Sequence, residues 1–227
     1  EMCIRDRSRT LPLGLDLRRL DGARPQGPPP AGRVPLILWN HRWEYDKNPQ
    51  EFFDLLGRLD AEGLQFEVAV LGEAYAEQPA AFAVARQTLG DKVVRFGYAD
   101  SFDDYAAWLW RADLLPVHSL HDFFGASVVE AIYCGVQPLL PERLAYPEHI
   151  PAELHKNCFY RDQDDLLQRL RRRLRGEEVP PVQQEGLLRA HVARYDWSVL
   201  GPRYDEVLEG IAGRCLHVHT PAGVLEP

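Results

Sequence analysis

The chain has 227 residues, 45% of them apolar and 26% charged, with a formal net charge of −8. That length suits one large domain or one and a half, and the composition is that of an ordinary globular protein able to bury a core. The acidic balance argues against a broad electrostatic footprint for nucleic acid, while leaving room for a local basic groove, and no apolar run is long enough to span a bilayer.

The first residues, Glu1-Met2-Cys3-Ile4-Arg5-Asp6, resemble a translated sequencing-library adapter, which would make the chain a C-terminal piece of a longer protein. Residues 8 to 33 are rich in Arg, Pro and Gly. The run Pro25-Gln26-Gly27-Pro28-Pro29-Pro30-Ala31-Gly32 sustains neither helix nor central strand, because proline lacks the amide donor both need. Residues 1–33 are therefore expected to be an artefactual or linker segment, with 11–20 a remnant of a preceding unit.

From Val34 the pattern is regular. A strand is expected over 34–39. A helix over 49–62 follows, with Pro49 suited to its first turn and apolar residues at 52, 53, 55, 56 and 59. Next come a strand over 66–71, a helix over 78–89, a strand over 92–96 and a helix from Ser101 to Ala112. Ser101 with Asp104 forms a capping-box-like start for that helix. A short strand over 114–117 precedes a helix over 125–134 that stops at Gly135, as a helix-terminating glycine predicts. Strands are expected over 137–140 and 158–160, helices over 164–175, 185–194 and 198–211, and an irregular tail over 213–227. Such alternation gives βαβ units, and right-handed crossovers then build an α/β, Rossmann-like, doubly wound parallel sheet over 34–212. Ligands of such sheets bind at the carboxyl ends of the strands.

The candidate chemistry falls at those ends. Arg42 and Lys47, in Asn40-His41-Arg42-Trp43-Glu44-Tyr45-Asp46-Lys47, follow the first strand. A planar fork and a point charge together suit a diphosphate that gains charge as it leaves. Gly125 opens a helix whose first amides and dipole favour phosphate, with Ala126 beside it, and a glycine there admits a ligand to the backbone. Glu130 lies on the helical face of Ala126, Ser127 and Cys134, where a carboxylate among small residues accepts hydrogen bonds from a ribose diol. Asp122 either meets sugar hydroxyls or caps the helix. His118 and His121 read as loop histidines. There is no GxSxG, Walker loop, GxGxxG or metal-ligand spacing, so no metal and no further cofactor is expected. Cys3, Cys134, Cys158 and Cys215 are far apart and read as reduced thiols of a cytoplasmic protein.

Arg42-x4-Lys47, Val70-Leu71-Gly72, Val94-Arg95-Phe96-Gly97-Tyr98, Asp122-Phe123-Phe124-Gly125-x4-Glu130-Ala131, Tyr146-Pro147-Glu148 and Tyr195-Asp196-Trp197-Ser198 together resemble the C-terminal, donor-binding half of retaining GT-B glycosyltransferases. The segments 38–49 and 130–135 look closest to the tRNA-queuosine α-mannosyltransferase family. The resemblance implies a nucleotide-sugar donor, GDP-mannose, with queuosine in a tRNA anticodon as acceptor, bound through an N-terminal domain that this chain is expected to lack. It implies Arg42 and Lys47 on the diphosphate, Glu130 on the ribose and Asp122 on the transferred sugar, where the family pattern usually has Glu. Rival readings are a hexosyltransferase with another donor, a nucleotide-sugar epimerase, or a non-catalytic nucleotide-binding module.

Overall fold

A computed structural model describes residues 10–27, 29–30, 32–73, 79–181 and 183–217, with side chains to residue 212. The adapter-like residues 1–6, the expected helix start at 78 and residues 218–227 of the expected tail lie outside the described residues.

Six strands form one sheet: β1 (Leu36–Trp39), β2 (Glu67–Leu71), β3 (Val93–Gly97), β4 (Leu114–Pro116), β5 (Gln137–Pro141) and β6 (Phe159–Tyr160). Their order is β3-β2-β1-β4-β5-β6, and every pairing is parallel. The helices are α1 (Pro49–Ala61), α2 (Ala80–Leu89), α3 (Phe102–Arg111), α4 (Ala126–Tyr133), α5 (Tyr146–His149), α6 (His155–Cys158), α7 (Gln163–Leu174), α8 (Gln184–Val192) and α9 (Trp197–His217). The expected doubly wound α/β architecture is what the chain adopts.

The alternation of side chains along β1 explains both covering layers. Leu36 and Leu38 join a core cluster that includes Ala106 and Leu109 of α3, Val129 and Ile132 of α4 and Leu188 of α8. Ile37 and Trp39 join the opposite cluster, with Phe52 and Leu56 of α1, Phe82 of α2 and Leu166 and Leu170 of α7. Capping follows the sequence where it was legible. Ser101 Oγ accepts the Asp104 amide at 3.1 Å, and Gly135, at φ +90°, follows the last turn of α4. Cys158, expected in a strand, ends α6 instead, and the backbone at 213–217, expected to be irregular, continues α9.

The largest departure is at the N-terminal end. A 3-10 helix spans Leu17–Ala23, and Leu17 and Leu20 are fully buried in the α3–α4 cluster. The Leu15 amide donates to the Tyr195 carbonyl at 2.8 Å, and the Trp197 amide donates to the Leu15 carbonyl at 2.9 Å. Trp110 Nε1 donates to the Leu20 carbonyl at 2.8 Å, and the Arg18 amide to Asp196 Oδ2 at 3.1 Å. Residues read as a linker or a remnant are thus packed into this domain. Their proline-rich continuation obscured an apolar pair three residues apart, whose partners lie far along the chain.

Candidate functional site

Strand order reverses between β1 and β4, the switch point at whose carboxyl ends sheets of this kind take ligands. Loop 40–48 leaves β1, and loop 117–125 leaves β4. The Asp46 carbonyl joins them by accepting the Leu120 amide at 2.7 Å. On the other side, loop 40–48 is strapped to the end of β2: the Trp43 amide donates to the Glu73 carbonyl at 2.9 Å, and Trp43 Nε1 to the Leu71 carbonyl at 3.2 Å. Gly72 permits this approach. Its φ is +110°, and a Cβ there would stand 2.5 Å from the His41 carbonyl oxygen.

Lys47 ends a 3-10 turn and is buried. Its ammonium donates to the His121 carbonyl at 2.7 Å and lies 3.1 Å from Asp46 Oδ2 and 3.8 Å from Asp122 Oδ2. Asp122 Oδ2 also accepts the hydroxyl of the buried Tyr146 at 3.2 Å. Gly125, at φ +84°, precedes α4, and no side chain caps that helix. Asp122 is therefore not the helix cap; the Val128 amide turns back to the Gly125 carbonyl at 3.0 Å, which leaves the amides of Ala126 and Ser127 without an intrahelical partner. A Cβ on Gly125 would lie 3.1 Å from the Tyr146 ring, so a side chain there would press on that ring as well as strain the backbone.

Glu130 is held from a different side. Tyr105, on α3, donates its hydroxyl to Glu130 Oε2 at 2.7 Å. Burial raises the Glu130 pKa, and the Tyr105 hydrogen bond pulls against that rise. Asn40, just past β1, donates through Nδ2 to the Ser127 carbonyl at 2.7 Å. Ser127 Oγ and His41 Nδ1 share a 3.0 Å hydrogen bond. Arg42 is exposed and donates to Glu44 Oε1 at 3.0 Å.

The structure thus gathers Lys47, Asp122 and Gly125 into one cluster, with Ala126 opening α4 beside it. Glu130 is one and a half turns along that helix, and Arg42 stands exposed on the Lys47 loop. Asn40, His41, Tyr105, Ser127 and Tyr146 were not assigned a role from sequence. Asn40 and His41 stood in the loop motif, Ser127 on the Glu130 face and Tyr146 in Tyr146-Pro147-Glu148; Tyr105 reads as an ordinary residue of an amphipathic helix. Among the described residues, no group of three or more His, Cys, Asp or Glu is placed to hold a metal ion, and no helix is long and apolar enough to cross a membrane.

His41 makes the site sensitive to acid. Burial, then the nearby Lys47 charge, lowers its pKa from the ordinary 6.5 to about 3, and its buried Nε2 has no hydrogen-bond partner among the described residues. The unfolded chain takes up this proton first, so the stability that His41 confers is complete above pH 6.5 and is lost as pH falls toward 3. Between pH 7 and pH 5 the loss is about 2 kcal/mol from this residue. Urea unfolding at the two pH values should show it, and His41→Asn should flatten the difference.

A six-stranded parallel sheet in this order, covered by helices on both faces, is a Rossmann-like domain, and its solved neighbours are glycosyltransferases of the GT-B fold. The structure matches a sucrose-phosphate synthase from Thermosynechococcus elongatus with a TM-score of 0.70 and 19% identity, over 91% of this chain and 53% of that one. It matches a glycosyltransferase from Rickettsia africae with a TM-score of 0.70 and 15% identity, over 88% and 56%. Anabaena HepE, solved in complex with UDP and glucose, gives a TM-score of 0.61 at 16% identity, over 86% and 51%.

Sequence relatives include mannosyltransferases. The chain is 38% identical over 117 residues to the tRNA-queuosine alpha-mannosyltransferase of Drosophila melanogaster, covering 52% of this chain and 31% of that protein. It is 27% identical over 205 residues to the GDP-mannose:cellobiosyl-diphosphopolyprenol alpha-mannosyltransferase of Xanthomonas campestris, covering 87% and 51%. The chain therefore spans about half the length, or less, of these relatives. No protein-family model matches it.

Proposed function

We propose that this chain is the nucleotide-sugar-binding half of a retaining mannosyltransferase, with GDP-mannose as donor and queuosine in a tRNA anticodon as acceptor. The observation that carries the reading is the convergence of Lys47, Asp122 and the start of α4 on one crevice, with 3.8 Å between the ammonium and the Asp122 carboxylate. The 38% identity to a queuosine mannosyltransferase supports the choice of sugar and acceptor.

In this reading the bond between the sugar's anomeric carbon and the diphosphate oxygen breaks, and the charge left on the diphosphate is met by Lys47, Arg42 and the open amides of α4. The acceptor hydroxyl bonds to the anomeric carbon from the face the diphosphate leaves. Its proton passes to the departing phosphate oxygen, so charge and stereochemistry both balance. Asp122 receives a sugar hydroxyl, and Glu130 the ribose. The acceptor-binding part belongs to a second domain, so this chain alone should bind donor and transfer nothing.

Thermal unfolding with GDP, GDP-mannose, UDP and ADP tests the donor. At ligand a hundred times above Kd, GDP and GDP-mannose should raise Tm by about 5 °C or more. A larger response to UDP would overturn the mannose assignment, and no response to any nucleotide would overturn the donor reading itself.

A further inference from the structure

We propose that Tyr105 is a positioning residue for Glu130, and that through it the site selects a ribonucleotide over its 2′-deoxy counterpart. The inference rests on the donor reading above and concerns how that site tells one nucleotide from another.

The geometry sets it apart from an ordinary helix-to-helix contact. Glu130 sits on α4 and Tyr105 on α3, and the hydroxyl-to-carboxylate bond between them is 2.7 Å, the short distance of an O–H donor on a charged acceptor. Desolvation is the largest influence on both groups: burial raises the pKa of the Tyr105 hydroxyl well above its usual value and raises that of Glu130 as well. The Tyr105 hydroxyl is therefore a permanent donor, and it occupies Oε2 in a fixed direction. Asn40 holds the same hydroxyl from the end of β1, with Nδ2 at 3.5 Å, while donating to the Ser127 carbonyl at 2.7 Å. Three elements thus fix one carboxylate orientation: the end of β1, α3 and α4.

A carboxylate that is half-buried, oriented and supplied, among the described residues, with a single protein donor has acceptor capacity left over. A vicinal diol offers two O–H donors to fill it; a 2′-deoxyribose offers one. Sites built to receive a hydroxyl reject analogues lacking it, because the buried acceptor is then left unmet. Without Tyr105 the carboxylate would lose its fixed direction and with it this discrimination.

Calorimetric titration of the full 227-residue chain with GDP and 2′-deoxy-GDP tests the proposal. In the unaltered protein GDP should bind at least about tenfold more tightly than the deoxy form. Tyr105→Phe should weaken GDP about tenfold, leave 2′-deoxy-GDP nearly unchanged and bring the ratio close to one. Glu130→Gln should collapse the ratio likewise. A folded Tyr105→Phe protein that keeps the full ratio would overturn the assignment, and so would one that fails to fold, since the hydroxyl would then serve the fold. If the unaltered protein binds GDP without discriminating, the ribose inference falls and the donor reading stands. If it binds no nucleotide at all, both fall.

Discussion

Replacing Lys47 with methionine is expected to abolish measurable GDP binding while leaving a folded but weakened domain. Methionine keeps the buried stem and removes the ammonium. That ammonium bridges the loops after β1 and β4, through the His121 carbonyl at 2.7 Å and the carboxylates of Asp46 and Asp122 at 3.1 and 3.8 Å. Breaking a buried ion pair from one side costs about 3–5 kcal/mol when the remaining charge is fully desolvated. The Asp46 and Asp122 side chains keep 28% and 14% exposure, so solvent relieves part of that and the expected loss is about 2 kcal/mol. The effect on binding is larger, because the two acids would then face an incoming diphosphate with no cation between them. A loss of at least about a hundredfold is expected. Denaturant unfolding and calorimetry on the same sample separate the two effects. Unchanged GDP affinity in the folded variant would remove Lys47 from phosphate binding.

The second large effect is expected far from the crevice. Leu17→Ala should cost about 3 kcal/mol, read as a fall in the urea midpoint, because Leu17 is fully buried and truncation leaves a cavity in a close-packed core. A leucine in a free linker would show almost no change. Against a total stability of about 5–15 kcal/mol for a domain, the double variant with Leu20→Ala should be largely unfolded at 37 °C. The segment also reaches the site. Leu15 is bonded to the backbone of Tyr195 and Trp197, and the Tyr195 ring packs edge-on against Phe124, with centroids 5.0 Å apart. His149 links the same two residues, with Nδ1 on the Tyr195 hydroxyl and Nε2 on the Phe124 carbonyl. Phe124 immediately precedes Gly125, so loosening residues 15–23 should weaken donor binding as well as the fold.

The periodic elements were legible because their signals are local. The apolar run Leu36–Trp39, the apolar spacing of Pro49–Ala61, the Ser101 cap and Gly135 after α4 each lie within a single element or at its end. Boundaries moved where a distant group intervened. β1 begins at Leu36, whose amide donates to Asp113 Oδ2 at 2.7 Å. The chain's polar motifs likewise pointed to the loops after β1 and β4, since parallel βαβ units place such residues at strand ends.

What the linear chain determined by itself was the class of fold, and the strand ends at which Lys47, Asp122 and Gly125 come together. The contacts that give those groups their character came only with the sheet. Lys47 reaches the His121 carbonyl 74 positions away, Tyr105 reaches Glu130 across 25, and Leu17 finds its place among helices that begin some ninety residues later. Hydrophobic period is a property of neighbours in sequence. Desolvation and hydrogen-bond partnership are properties of neighbours in space, and strand order is what joins the two.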